Sequence, residues 1–214
     1  MKTKYHKEIT HTALQSYFSE QALDTIIQAN IKQDRIKYQI AHDYIHFDGN
    51  AFARGFGYIQ EQEAQIIADA KRSDYVQARQ AFGRITHSWQ DFYSHSNYVV
   101  LWMNLNSNQT PDQISDNDPS IIKHPMLASG KNYGLLELLA TLPIFSTLVN
   151  PLMPKDSHAK MNLDSPSANP HFEYAYWAAY RATVSAYQNI IRQMETLPNH
   201  TEVIYYFNAK QDEK

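Results

Sequence analysis

A run of metal-ligand-type side chains at helical spacing is the feature of this sequence that most constrains its fold. His87, Asp91 and His95 follow one another at intervals of four residues. On an α-helix this interval turns each side chain only about 40° from the last, so all three lie in one stripe. Imidazole and carboxylate groups are the ligands of hydrolytic metal centres. The spacing therefore predicts a helix that carries a metal-binding stripe, although a solvated polar face would give the same pattern.

Apolar residues recur three and four positions apart through much of the chain, which predicts a mostly helical protein. Ser73 is expected to cap the helix that carries the stripe, and Asn169 followed by Pro170 is expected to start the last long helix. Helices are expected over the segments with this periodicity: 6–18, 20–30, 35–48, 59–71, 74–103 and 170–196.

The polar stretches between these segments predict long loops around 104–130 and 150–169. Residues 203–207 fit either a strand or a helix. Since the length suits one core of ordinary size, we expect a single all-α domain over 1–214, a multi-helix bundle with the metal site between its helices.

Composition narrows the chemistry of any site. The chain has no cysteine, which excludes disulfides and thiolate zinc sites and leaves His, Asp and Glu as metal ligands. Its 19 basic and 22 acidic residues argue against a dedicated nucleic-acid binder. No apolar run follows the first residues, so no signal peptide is expected, and a cytoplasmic protein is the default, with export as the alternative.

The length of the stripe indicates more than one ion. Residues 87 and 95 are about 12 Å apart along a helix axis, whereas zinc–ligand bonds are about 2 Å long. We therefore expect two ions, with Asp91 near or between them. Other segments offer further ligand-type residues: His6 and His11, then His42, Asp43, His46 and Asp48, and finally His171.

Four blocks of the sequence resemble the zinc-dependent phospholipase C / P1 nuclease superfamily, especially its Het-C-like branch. The third block is the most distinctive, and together the blocks span nearly the whole chain. They are Tyr5–Leu14, Ala29–Asp34 with Ile45–Asp48, His87–Asn97, and Met161–Asp164 leading to His171.

The resemblance implies an all-α fold that holds up to three zinc ions. By position, His46, His87 and Asp91 would hold one zinc ion, with Asp34 as a further ligand or the general base. His6 would contribute to a third ion that Asp91 bridges.

The second zinc ion would fall to His95 and His171. Members of the superfamily tend to place a carboxylate four residues after the last histidine, where this chain has Ala175. Asp164 would have to complete this site, with Glu173 and His158 as weaker candidates.

The function that the resemblance implies is a phospholipase C-like phosphodiester hydrolase. Zinc-bound water would attack phosphorus, and Asp34 would orient or deprotonate it. The apolar segment 134–154 favours a phospholipid substrate and a peripheral membrane contact, or else forms a buried core segment. The alternatives are a single-strand nuclease or phosphatase of the same superfamily, or an inactive Het-C-like interaction protein.

Overall fold

The computed structural model describes residues 1–34, 42–131, 133–134 and 149–209, and it confirms the all-α prediction. Within these ranges there is no β-strand, only two isolated β-bridges. The helices are α1 Thr3–Leu14, α2 Glu20–Lys32, α3 Phe52–Lys71, α4 Tyr75–His95, α5 Tyr98–Leu105, α6 Pro119–Ile122, α7 His158–Met161, α8 Phe172–Met194 and α9 His200–Asn208. Short 3-10 turns lie at Asp43–His46, Asp48–Asn50, Pro111–Gln113 and Asn150–Leu152.

Helix α4 forms the centre of the bundle. It packs against α2, α3 and α8, and from Thr86 to His95 every one of its residues is buried. Its apolar face meets aromatic side chains such as Phe47 and Phe56. Because the ligand-type residues of α4 are buried as well, the polar stripe faces the interior and is not a solvated surface.

Gly83 allows the close approach of α2 to α4. A Cβ atom at this position would overlap the backbone oxygen of Ile26 and lie 2.8 Å from the Cβ atom of Ala29. Any larger residue would therefore push the two helices apart.

The predicted helix over 74–103 is two helices, α4 and α5. The chain becomes extended at Ser96, and Asn97 exchanges backbone and side-chain hydrogen bonds with Ala128. These tertiary contacts end the helix at a point that local periodicity does not mark. The N-cap of α4 is Asp74, whose carboxylate accepts from the Gln77 amide, whereas Ser73 has a left-handed backbone.

Other predicted boundaries shift for similar reasons. In place of one helix over 35–48, the described part has two 3-10 turns separated by Phe47, which is left-handed with φ 58° and has a buried ring. Residues 35–41 of that prediction lie outside the described residues. Asn169 does not cap α8; its side chain accepts from the amide of His171, which is the N-cap itself.

The ambiguous tail is helical, since 203–207 lie within α9. Most of the apolar segment 134–154 lies outside the described residues, so its membrane contact stays a prediction. Among the helices described, none has the length and apolar character needed to cross a membrane.

Candidate metal centre

Asp91 lies at the centre of a buried cluster of ligand-type groups. Its side chain is 1% exposed. Its Oδ1 atom is 2.7 Å from the Met1 amino group and 3.2 Å from His6 Nε2. Its Oδ2 atom is 2.8 Å from His46 Nδ1 and 3.0 Å from His87 Nε2. Four nitrogen groups from three parts of the chain thus converge on one carboxylate.

A buried hydrogen-bond chain fixes the orientation of Gln90, which neighbours Asp91. The Thr86 hydroxyl donates to the Gly83 carbonyl, so its oxygen accepts from Asn30 Nδ2 at 2.9 Å. The same amide nitrogen donates to Gln90 Oε1 at 3.0 Å. The Thr183 hydroxyl donates within α8 and accepts from Gln90 Nε2 at 3.3 Å. The hydrogen-bond partners therefore determine which atom of the Gln90 amide is the oxygen and which is the nitrogen.

The orientation of Gln90 determines the tautomer of His6. His6 Nδ1 lies 2.6 Å from Gln90 Oε1, which is an acceptor, so Nδ1 carries the hydrogen. In a neutral imidazole the other nitrogen then has a lone pair. That nitrogen, Nε2, lies 3.2 Å from the Asp91 carboxylate and makes no hydrogen bond to any described residue. A lone pair that faces a carboxylate at this distance requires a cation, either a proton or a metal ion.

His46 and His87 lie against the same carboxylate from two other elements, but in these two rings the nitrogen that faces Asp91 is the one with a partner. His46 Nδ1 and His87 Nε2 are 3.2 Å apart, and both contact Asp91 Oδ2. The opposite nitrogen of each ring is buried with no hydrogen-bond partner among the described residues. Asp34 lies at the edge of this cluster, with Oδ1 3.9 Å from His87 Nε2 and its side chain 25% exposed.

The geometry of these groups suits one ion. The ligand atoms of His6, Asp34, His87 and Asp91 all lie within 4.8 Å of one another. Two donors bonded to one zinc ion at about 2 Å each are at most about 4 Å apart. Small side-chain adjustments would therefore bring them to bonding distance.

A second group of ligand-type side chains lies at the C-terminal end of α4. Asp48 Oδ1 is 3.3 Å from His95 Nδ1 and 3.1 Å from His158 Nδ1. Asp164 Oδ1 lies 3.4 Å from His95 Nε2. Gly130 lets the His158 backbone come close, since a Cβ atom on it would lie 2.7 Å from His158 Cα. His87 and His95 thus belong to separate groups, as the axial distance between them predicts.

Electrostatics favour a positive charge beside Asp91. Burial alone would raise the pKa of this carboxyl, but the Met1 ammonium and the surrounding imidazoles hold it well below its usual range. Burial lowers the pKa of His87 to about 4, with His6 and His46 adding to the effect. Burial and the Met1 ammonium also disfavour the charged form of His95, yet Asp91 and Asp48 outweigh them and raise its pKa to about 10.

The structure brings together seven of the eight predicted metal residues: His6, Asp34, His46, His87, Asp91, His95 and Asp164. His171 is not among them. It caps α8, where its amide bonds to Asn169 and its ring lies against Tyr174. The position beside His95 is taken by His158, whose ring centroid is 4.4 Å away.

Two residues of the second group, Asp48 and His158, were only secondary candidates in the sequence. Asp48 follows His46 by two positions and ends the block Ile45–Asp48, but it was assigned to no ion. His158 stands in a polar connection with no motif around it, so only the folded chain reveals its partners.

Comparison with known proteins gives a family for this fold and centre. The family model described as the VWA7 N-terminal domain matches residues 3–119, more than half of the chain. The proteins named von Willebrand factor A domain-containing protein 7 from Rattus norvegicus, Mus musculus and Homo sapiens are each 34% identical to it over 80 residues. That alignment covers 37% of this chain and only 9% of each relative. No solved structure matches the chain.

These findings correct the family and the function inferred from the short blocks. The matches are to VWA7 proteins, so the resemblance to the zinc-dependent phospholipase C / P1 nuclease superfamily is wrong. The phospholipase C-like hydrolase predicted from it is wrong as well, and its nuclease, phosphatase and Het-C-like alternatives lose their basis. The matched region contains α1, α2 and α4, with most of the cluster around Asp91. The chain therefore belongs to the family of VWA7 N-terminal domains.

Proposed function

We propose that this domain binds a divalent metal ion, zinc in the first instance, at the buried centre around Asp91. The observation that carries the proposal is the tautomer of His6. The hydrogen of its ring lies on Nδ1 and points to Gln90, so the lone pair on Nε2 faces the Asp91 carboxylate. Metal-bound histidines usually donate their second ring nitrogen in this way.

The chemistry of the remaining donors supports the same ion. His46 and His87 add imidazole nitrogens, and Asp34 adds a carboxylate at the exposed edge. Nitrogen and oxygen donors without thiolates suit zinc and other first-row divalent ions. The Met1 ammonium, 2.7 Å from Asp91 Oδ1, supports the view that the centre accommodates a cation.

The role we propose for the ion is structural. His6 comes from α1, His46 from a 3-10 turn, and His87 and Asp91 from α4. One ion bound to all of them would link the first helix and the turn to the central helix. Because the unfolded chain has no preformed site, the binding free energy would add to the stability of the fold. A second ion would be held by Asp48, His95 and His158.

Metal content and thermal stability test this proposal together. After zinc-replete expression, we expect elemental analysis to find at least one zinc ion per chain. A free zinc concentration 100 times the dissociation constant stabilises a protein by about 2.7 kcal/mol. For a domain of this size, chelation should then lower Tm by about 5–10 °C. Less than one ion per chain of zinc or any other divalent metal would contradict the proposal.

A variant of His87 identifies the centre. We expect His87→Ala to lose the ion around Asp91 and the chelation effect on Tm, because His87 contacts Asp91 from within α4. His124→Ala is the matched control, since His124 bonds only within its own turn among the described residues and should leave metal content unchanged. Unchanged metal content in His87→Ala would place the ion elsewhere.

The buried partner of His6 gives a further prediction. Gln90→Leu removes the acceptor of His6 Nδ1 and one hydrogen bond each of Asn30 and Thr10. Loss of an outer-shell partner typically lowers metal affinity about 10- to 100-fold. We expect a loss of this size when the variant competes with a chelator of known affinity for the metal ion. Gln28→Leu, on the exposed face of α2, is the control. An affinity within twofold of the unaltered domain would show that Gln90 does not orient His6.

A further inference from the structure

A polar groove separate from the metal centre lies between α3 and α4. Its volume is about 580 Å³, which is in the range of small-molecule sites. Tyr58 and Gln62 line it from α3, Arg84 lines it from α4, and Tyr44 lines it from the 3-10 turn Asp43–His46. None of these side chains is one of the proposed metal ligands.

Of the two arginines along the groove, Arg84 has no ion pair among the described residues, and neither has the Asp74 carboxylate. Arg72 forms an ion pair with Asp69 at 2.5 Å. The carboxylate of Asp74 accepts from the Gln77 amide at the start of α4. Arg84 has no carboxylate partner among the residues that the structure describes, although it is half-buried. A charge that is partly withdrawn from water without a counter-ion is costly, so an anion beside it would be favourable.

Hydrogen bonding prepares Arg84 for such an anion. Its Nε atom donates to Gln62 Oε1 at 2.6 Å, which fixes the plane of the guanidinium group. Within the described part of the chain, the two terminal nitrogens have no hydrogen-bond acceptor. A planar fork of this kind matches the oxygens of a carboxylate or a phosphate group.

The part of the groove lined by Tyr44, Tyr58 and Gln33 suits a neutral body attached to that anionic group. The rings of Tyr44 and Tyr58 meet edge to face with centroids 5.7 Å apart and form an aromatic wall. Gln33 is buried and donates to the Tyr58 hydroxyl at 2.8 Å. At this part of the groove, aromatic faces and side-chain amides offer apolar contact and hydrogen bonds.

We infer that this groove is a binding site for a small molecule carrying an oxyanion group, a carboxylate or a phosphate, which Arg84 holds through its terminal nitrogens. Arg84 lies one helical turn before His87, so the site is next to the metal centre. The inference does not depend on the metal, because no metal ligand takes part in it.

Titration with simple anions followed through the guanidinium group tests the inference. Inorganic phosphate and acetate are added separately to ¹⁵N-labelled protein in chelator, and the Arg84 Nε–H signal is followed by NMR. We expect a saturable shift with millimolar affinity for at least one anion. Saturation by phosphate alone would indicate a phosphate-bearing ligand, and saturation by acetate alone a carboxylate-bearing one. No saturable shift with either anion would overturn the inference.

Variants distinguish anion binding by Arg84 from non-specific attraction of anions to the charge of the protein. For the anion that binds, we expect Arg84→Gln to weaken the affinity at least tenfold. Binding to this variant is followed by NMR through the signal of the Gln62 side-chain amide. Arg84→Lys keeps the charge but loses the fork, so a smaller loss of several-fold is expected. Arg181→Gln is the control, since that guanidinium donates to the Asp112 carbonyl away from the groove. Affinity retained in Arg84→Gln, or lost equally in Arg181→Gln, would assign the shift to non-specific attraction.

Discussion

Asp91→Asn is expected to lower the metal affinity of the domain by more than 100-fold and to destabilise the fold by about 3–5 kcal/mol. The carboxylate is 1% exposed and contacts the Met1 ammonium, His6, His46 and His87 within 3.2 Å. An amide keeps the shape but removes the charge, so the buried Met1 ammonium and the proposed metal ion lose their counter-ion.

Urea denaturation with and without chelator separates the two effects of Asp91→Asn. The unaltered domain should lose stability when the metal is removed, whereas the variant should start low and respond little to chelator. Asp43→Asn is the matched control, because that carboxylate is 50% exposed and pairs with Arg54 on the surface. Exposed ion pairs contribute at most about 1 kcal/mol, so this control should remain close to the unaltered domain. Equal losses in the two variants would contradict a central role for Asp91.

The stripe on α4 could be predicted because its information is local. Spacing alone places His87, Asp91 and His95 on one face of a helix. It also places His87 and His95 too far apart along the helix axis to bind the same ion. The orientation of that face was open, since solvent and metal sites favour the same residue types. Its burial depends on α2, α3 and α8, which pack around α4, and only the folded chain shows this.

The secondary candidates Asp48 and His158 owe their positions in the second group to tertiary contacts. Asp48 reaches His95 because the chain turns at Phe47. Phe47 has a left-handed backbone that no local sequence pattern predicts. His158 reaches the same group because Gly130 lets its backbone approach. His171, by contrast, stands at a helix start, and the capping geometry keeps it there.

The mistaken family has a physical explanation in the same stripe. Histidine and aspartate four residues apart are a general solution for presenting ligands from one helix face, so unrelated families can share the spacing. Such a motif describes a way of holding an ion, whereas activity depends on the whole site around it. The longer match over residues 3–119 covers the surrounding helices α1 to α5 as well as the ligand-type residues.

Gly83→Ala is expected to destabilise the domain by about 2 kcal/mol or more, although alanine is the better helix former. Alanine in place of glycine gains about 1 kcal/mol inside a helix. Here the new Cβ atom would overlap the Ile26 backbone oxygen and lie 3.1 Å from the Asn30 amide nitrogen. Backbone atoms cannot move out of the way by rotation as a flexible side chain can, so α2 as a whole must shift. Overpacking of this kind typically costs about 1–3 kcal/mol or more.

Gly57→Ala is the matched control, because Gly57 lies inside α3 and a Cβ atom there would meet nothing within 4 Å. It should stabilise the domain by about 0.5–1 kcal/mol, so the two changes should differ in sign in urea denaturation. A shift of α2 would also move Asn30, whose amide assigns the acceptor of His6. Gly83→Ala should therefore weaken metal binding although it changes no proposed metal ligand. Equal stability changes at both glycines would show that the contact between α2 and α4 does not constrain the centre.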